Sequence, residues 1–206
     1  MSTYAILPIV DRIVYNVSMK STSTFEMKNL SARDRILLTA HDIFYREGIR
    51  ATGIDRLIAE SGVTKVTFYR HFPSKKDLIR EYLEYRHSYW MTWFVDALQR
   101  HGNSAKAILP ALSEWFGDTH FRGCAFINSV AELGGDMPEV IEISQRHKHE
   151  MTAVIANLLP PSRGRLKDAQ AVALAIDGAI IRSQFDQTPG SALSTLDRLL
   201  KPLLRQ

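Results

Sequence analysis

The stretch IDRLIAESGVTKVTFYRHF at residues 54–72 decides how this chain is interpreted. Ile54, Leu57 and Ile58 recur at the spacing of one helix face, and Gly62 ends that helix after about two turns. A second short helix is predicted over residues 64–71. Two short helices joined by a turn that contains glycine predict a helix-turn-helix.

The flanking residues predict one further helix on each side of this pair. Ser31 is the expected N-cap of the preceding helix and Gly48 its C-terminal cap. Ser74, with Asp77 three residues later, caps the following helix, whose apolar spacing continues to about residue 100. At 1.5 Å per residue this helix is roughly 35–40 Å long. The apolar face of the preceding helix consists of Ile36, Ala40, Ile43 and Phe44.

The rest of the chain also has helical periodicity, and no convincing strand pattern occurs. Helices are predicted over residues 104–118, 122–133, 138–159, 166–185 and 191–203. Their breaks fall at Gly134-Gly135, Pro160-Pro161 and Pro189-Gly190. The expected fold class is therefore all-α. Residues 1–29 lack the basic start of a secretory signal and are expected to form a flexible N-terminal extension.

Charge and cysteine content limit the possible partners and compartment. Residues 1–86 hold 14 Lys and Arg against 10 Asp and Glu, whereas residues 87–206 hold 12 of each kind. The net charge of +4 therefore lies in the N-terminal part, which suggests an anionic partner for that part. No run of about 18 apolar residues occurs, so no membrane partner is expected. The single cysteine, Cys124, fits a reducing cytoplasm.

The second short helix has the pattern expected of a helix that reads DNA. Val63, Phe68 and Phe72 can anchor it, which leaves the intervening polar residues facing outward. Lys65 and Arg70 can read guanine, whereas Tyr69 and His71 suit phosphates at the rim of the groove. No acidic residue occurs between positions 64 and 76. The alternative is a solvated helix face, which rarely omits every acid. The further candidates for phosphate or base contact are Thr52, Thr64, Thr67, Lys75 and Lys76.

These residues resemble the DNA-binding domain of the tetracycline-repressor (TetR/AcrR) family over residues 33–86. The resemblance implies a three-helix DNA-binding domain, at residues 30–76, and a helical domain for effector binding and dimerisation, at residues 77–206. By motif position it implies DNA contacts from Thr52, Thr64, Lys65, Thr67, Tyr69, His71 and Lys75. Val66 stands where many relatives have glycine, which predicts a change in the base that is read. The matching motifs are Ala32-Arg33-Asp34-Arg35-Ile36-Leu37, Phe44, Gly48, Thr52, Ile58-Ala59, Ser61-Gly62-Val63-Thr64-Lys65, Thr67-Phe68-Tyr69-Arg70-His71-Phe72 and Lys75-Lys76-Asp77-Leu78.

The C-terminal half offers candidates for an effector pocket and for a dimer interface. Its segment 121–128, followed by Ala131-Glu132, is similar to one found in a branch of the family. Cys124 is either a redox sensor or a small buried hydrophobe. His147 and His149 lie two residues apart and point to different helix faces, so no metal site is predicted. The effector candidates, for which plain core is the alternative, are Trp90, Trp93, Phe94, Trp115, Phe116, Phe126, Asn128 and Gln184. The dimer candidates, which have the same alternative, are Leu174, Gly178, Ile181, Leu196, Leu199 and Leu203.

The sequence therefore predicts a homodimeric repressor that a small-molecule effector releases from a double-stranded DNA operator. An activator, or a regulator that needs no ligand, is the alternative within DNA binding. A helical protein-interaction module is the alternative from a different class. The chain lacks a nucleophile elbow, a phosphate loop, metal-ligand spacing and a dinucleotide fingerprint, so neither catalysis nor a cofactor is predicted.

Overall fold

The computed structural model describes residues 30–186 and 189–203, and within them it is all-helical. The predicted all-α class is confirmed, whereas the predicted N-terminal extension, residues 1–29, lies outside the described residues. A short 3₁₀ helix, Ala105–Ala107, precedes α5. The helices are α1 (Ala32–Glu47), α2 (Ile54–Ser61), α3 (Lys65–His71), α4 (Lys75–Arg100), α5 (Ile108–Phe116), α6 (Ala125–Leu133), α7 (Pro138–Leu158), α8 (Arg165–Phe185) and α9 (Pro189–Leu203).

Local side-chain and glycine chemistry sets the ends of the first four helices. The hydroxyl of Ser31 accepts a hydrogen bond from the Asp34 amide at 3.1 Å, and Ser74 accepts one from the Asp77 amide at 3.2 Å. These bonds satisfy amides that have no partner inside their helices. Gly62 ends α2 in the left-handed conformation, with φ 64° and ψ 36°. Because glycine reaches this conformation without a steric cost, the chain turns sharply into α3.

The described residues group into two compact units, one through Tyr89 and another from Trp90. The first unit buries one apolar core between α1, α2, α3 and the start of α4. Arg35 ties its elements together, because its guanidinium donates to the carbonyl of Ser61 at 3.2 Å and to that of Leu30 at 3.0 Å. The buried side chains of this core include Ile36, Ile43, Phe44, Ile49, Leu57, Phe68, Phe72, Leu78, Tyr82 and Leu83.

A buried polar group joins α1 to α4 within the first unit. The guanidinium of Arg86 lies 3.9 Å from the ring centre of Tyr45 and 3.2 Å from Nε2 of His41. Since a guanidinium only donates hydrogen bonds, Nε2 of His41 is the acceptor and the imidazole is neutral. The His41 ring also meets the edges of Tyr85 and Tyr89. Burial, followed by the charge of Arg86, holds the pKa of His41 well below 6.5.

In the second unit α8 packs against both α7 and α9, α6 packs against α7, and α9 packs against α5. Three element boundaries differ from the sequence prediction. The helix predicted over 104–118 begins with the 3₁₀ turn and ends at Phe116. The helix predicted from 122 begins at Ala125, because Gly123 has φ 82°. Pro189, predicted as a break, instead begins α9, since proline fits a first turn whose amides have no helical partner. None of the helices described is long and apolar enough to cross a membrane.

The half-buried imidazole of His41 predicts a loss of stability in mild acid. We expect the free energy of unfolding to fall as the pH drops below 6.5. His41 then takes up a proton in the unfolded chain but, because of its lowered pKa, stays neutral in the folded chain. The loss begins at the unfolded-state pKa and continues down to the lower folded-state pKa. Urea unfolding of wild type and His41→Gln between pH 7.5 and 5 measures it. The substitution should flatten the pH dependence, whereas His149→Gln, at an exposed position, should leave it as in wild type. Equal slopes for all three proteins would refute this account.

Candidate nucleic-acid interface

Two phenylalanines hold α3 on the first unit. Phe68 and Phe72 are both fully buried, with ring centres 6.3 Å apart, and the Arg33 guanidinium lies over the Phe72 ring at 5.4 Å. These two anchors were predicted from sequence. Val63, the third predicted anchor, is only half-buried. The anchored face fixes the orientation of a helix that has only seven residues.

The opposite face of α3 presents side chains that suit a DNA groove. Lys65, Val66 and Arg70 are exposed, and Tyr69 is exposed at the rim, while Thr67 and His71 are half-buried. Val66 is an aliphatic side chain with 69% of its surface exposed. Cationic donors can contact guanine edges, and an apolar side chain can contact the methyl group of thymine. The face therefore combines groups for two kinds of base contact.

Thr64 serves as the N-cap of α3 as well as an exposed hydroxyl. Its oxygen accepts a hydrogen bond from the Thr67 amide at 3.2 Å and lies 2.9 Å from the Thr67 hydroxyl. A Thr64 contact with DNA would thus come from a hydroxyl already placed by the helix start.

The charges on α3 are not opposed by acids. Among the residues that the structure describes, neither Lys65 nor Arg70 takes part in an ion pair. Glu47 and Glu60 of the neighbouring helices are instead paired with Arg46 and Arg56. Hydrogen bonds from Arg56 and then Arg46 lower the pKa of Glu47 to about 2. The positive potential of α3 therefore remains available to a polyanion.

The structure corrects the role of Thr52 and constrains that of Lys75. Thr52 is fully buried, and its hydroxyl donates to the carbonyl of Gly48 at 2.8 Å, so the side chain has no surface for a phosphate. The Lys75 ammonium donates to the carbonyl of Ile49 at 2.6 Å and lies near the Phe44 ring. Lys75 is half-buried, so a phosphate would meet an ammonium already held in place. The sequence shows neither contact, because both depend on how α1 ends.

In the second unit, most of the predicted effector residues lie in one cluster of aromatic rings. The ring centre of Trp90 is 4.7 Å from that of Phe94 and 5.4 Å from that of Trp115. The cluster also includes His147, stacked on Phe126 at 3.7 Å, which was not among the predicted effector residues. The complete ring cluster consists of Trp90, Trp93, Phe94, Trp115, Phe116, Phe121, Phe126 and His147.

The two predicted polar effector residues have a different environment. The side-chain amides of Asn128 and Gln184 both donate to the carbonyl of Arg122, each at 3.0 Å. A Cβ on the neighbouring Gly123 would lie 2.2 Å from Nε2 of Gln184, so only glycine fits there without a shift. Asn128 and Gln184 therefore hold the segment before α6.

The predicted dimer residues divide into surface and core. Leu174 is 75% exposed and Leu199 57% exposed, and Gly178 and Ile181 are also at the surface. Leu196 is buried inside its own chain, so it has no surface to offer a partner. The side chain of Leu203 lies outside the described residues. The exposed apolar residues of α8 are joined by Leu166 and Phe185.

Comparison with known proteins extends this picture to most of the chain. Residues 36–82 match the model of the bacterial regulatory proteins of the tetR family. A TetR-family transcriptional regulator from Streptomyces coelicolor is 30% identical, with a TM-score of 0.74 over 84% of this chain and 94% of that one. An uncharacterised HTH-type transcriptional regulator from Lactococcus lactis is 22% identical over 84% of this chain and 94% of its own. The multidrug binding protein EbrR, solved with malachite green, has a TM-score of 0.61 at 18% identity over 81% of this chain and 96% of its own.

The division of α3 into an anchoring face and an exposed face predicts that substitutions on the two faces change stability by very different amounts. Phe68→Ala should lower the free energy of unfolding by about 3–5 kcal/mol, because it removes a fully buried ring. Val66→Ala should change it by less than about 0.5 kcal/mol, because Val66 is mostly exposed. Denaturant unfolding followed by circular dichroism measures both. A large loss at Val66, or none at Phe68, would show that α3 is anchored by its other face.

Proposed function

Because the chain belongs to the TetR family of transcriptional regulators, which bind DNA, we propose that α3 is the helix that reads its operator. One observation carries the proposal: α3 is anchored by Phe68 and Phe72, while its uncompensated cations and Val66 face outward. A helix fits the major groove of B-form DNA, where each base pair presents a distinct pattern of donors, acceptors and methyl groups.

The exposed residues divide into base-reading and phosphate-binding groups in this proposal. Lys65 and Arg70 reach guanine edges, and Val66 contacts a thymine methyl group. Tyr69 and His71 bind phosphates at the rim of the groove, with Lys75 and Lys76 at the start of α4. Thr64 and Thr67 supply hydroxyl donors. Thr52 makes no DNA contact in this proposal. Its buried hydroxyl donates to the carbonyl of Gly48 and so supports the segment between α1 and α2.

The proposed assembly is a homodimer formed by α8 and α9. Leu174 and Leu199 are exposed apolar side chains on these two helices, and Gly178 lets another helix approach closely. Exposed apolar surface of this kind is stabilised by covering it. A twofold dimer brings two copies of α3 to successive major grooves, about 34 Å apart, which requires a palindromic operator.

The proposed regulation is repression that a small molecule relieves inside the cytoplasm. The ring cluster is a large, mostly buried aromatic region of the second unit. EbrR, which shares the fold, binds malachite green. An effector bound in the ring cluster would favour a state of the dimer whose reading helices no longer match the groove spacing. Couplings of this type amount to about 1–3 kcal/mol, or roughly 5–150-fold in DNA affinity.

A charge placed in the proposed interface should separate the dimer. Leu174→Glu is expected to give a monomer, because pairing would bury two carboxylates without partners. The chain should still fold, since Leu174 is mostly exposed. Analytical ultracentrifugation measures the mass, with Ala131→Glu, at an exposed position on α6, as the control that stays dimeric. A dimeric Leu174→Glu variant would place the interface elsewhere.

Selection from a random duplex pool tests DNA reading. Wild type should enrich a palindrome, and Lys65→Ala with Tyr69→Ala should lose it, because one base contact and one phosphate contact disappear. Titration at several salt concentrations gives the association constant for DNA at each. The steepness of its logarithm plotted against the logarithm of salt concentration should decrease by about 0.9 for each lost phosphate contact. Lys106→Ala, an exposed lysine in the second unit, should behave as wild type. Equal weak binding by every protein, with little salt dependence, would favour the interaction-module alternative.

A further inference from the structure

The ring cluster contains one buried polar atom without a partner. Trp90 is 96% buried, and its indole Nε1 makes no hydrogen bond within the described part of the chain. A buried donor left unsatisfied destabilises the fold by about 1–3 kcal/mol. Such groups are uncommon in native structures, and a ligand that accepts the hydrogen bond is one physical reason for retaining them.

The surroundings of Trp90 define what could accept that hydrogen bond. Its neighbours are the rings of Trp93, Phe94, Trp115 and His147, at centroid distances of 6.2, 4.7, 5.4 and 5.1 Å. Trp93, Phe94 and Trp115 have no strong acceptor, and His147, whose imidazole can carry one, accepts no hydrogen bond from Nε1 within the described residues. A molecule that enters the cluster can therefore supply the acceptor that Nε1 lacks.

The ring cluster also restricts the shape and charge of that molecule. Flat aromatic molecules pack against rings in stacked or edge-on geometry, and the rings here adopt both arrangements. None of the cluster side chains carries a carboxylate or an ammonium group, so a charged molecule would lose its hydration without gaining an ion pair. Trp93 and Phe121 are half-exposed, so the cluster reaches the surface at these two rings.

We propose that the effector is a flat, uncharged aromatic molecule with a hydrogen-bond acceptor, which enters the ring cluster and accepts the hydrogen bond from Trp90. The inference rests on the proposed function, in that the bound molecule is the one that releases DNA. Trp90 acts as the specificity-determining residue, because it distinguishes a molecule with an acceptor from a hydrocarbon of the same shape.

Fluorenone and fluorene are suitable probes, because they share a flat ring system and differ by a carbonyl group in place of a methylene group. Fluorescence titration of the full chain should show fluorenone binding about tenfold more tightly than fluorene. Trp90→Phe keeps an aromatic ring and removes the donor, so it should abolish most of that preference. Tyr45→Phe, which removes a donor from an aromatic ring outside the ring cluster, is the matched control and should leave the preference unchanged. Trp90→Phe retains two of the three tryptophans as fluorescent reporters, and Tyr45→Phe retains all three.

A second measurement on wild type does not depend on the variants folding. In a ¹H–¹⁵N spectrum, fluorenone should move one of the three indole resonances far more than fluorene does, and Trp90→Phe should delete that resonance. The same preference in wild type and Trp90→Phe, or binding of neither probe, would overturn the proposed effector class. Operator binding is measured separately. If wild type does not bind an operator, the proposed function is refuted. If wild type binds an operator and fluorenone does not change that binding, only this inference is refuted.

Discussion

The burial of Phe68 is the constraint on which the position of α3, the proposed DNA-reading helix, depends. A helix of seven residues is not stable alone in water, because the cost of its first turn is not recovered over so short a length. Tertiary packing must therefore hold α3, and only one of its faces is available for that purpose. Phe68 and Phe72 occupy that face, and Gly62 supplies the turn that brings it to the core. The outward face is thereby fixed in orientation without contributing to the core.

The second unit uses its aromatic residues differently from the first. In the first unit, Tyr45, Tyr85 and Tyr89 surround a buried cation, Arg86, whose hydrogen bond to His41 satisfies part of its donor capacity. In the second unit, the rings around Trp90 leave a donor unsatisfied. A satisfied polar group makes a core rigid, and an unsatisfied one leaves free energy that a ligand can recover. The first unit also holds an unpartnered buried atom, the hydroxyl oxygen of Thr39, so the contrast concerns these two aromatic groups and not the units as wholes.

Features set by local chemistry could be predicted from the sequence, and features set by contacts between distant residues could not. The limits of α1 and α2 follow from Ser31 and Gly62, which act within one helical turn. The all-α class and the anchors of α3 follow from the spacing of apolar residues. By contrast, the burial of Thr52 depends on packing among several helices, and spacing alone cannot distinguish exposed Leu199 from buried Leu196. The two share one apolar face of α9, and only the packing of α9 against its neighbours separates core from surface.

The buried and exposed faces of α3 differ in how much stability a substitution costs. Phe68 and Phe72 are buried in the core, whereas Lys65, Val66 and Arg70 are exposed. After a gene duplication, one copy can exchange these outward residues and acquire a new target site while its stability stays nearly constant. Under the proposed function, a change of target site therefore costs less stability than a change of fold.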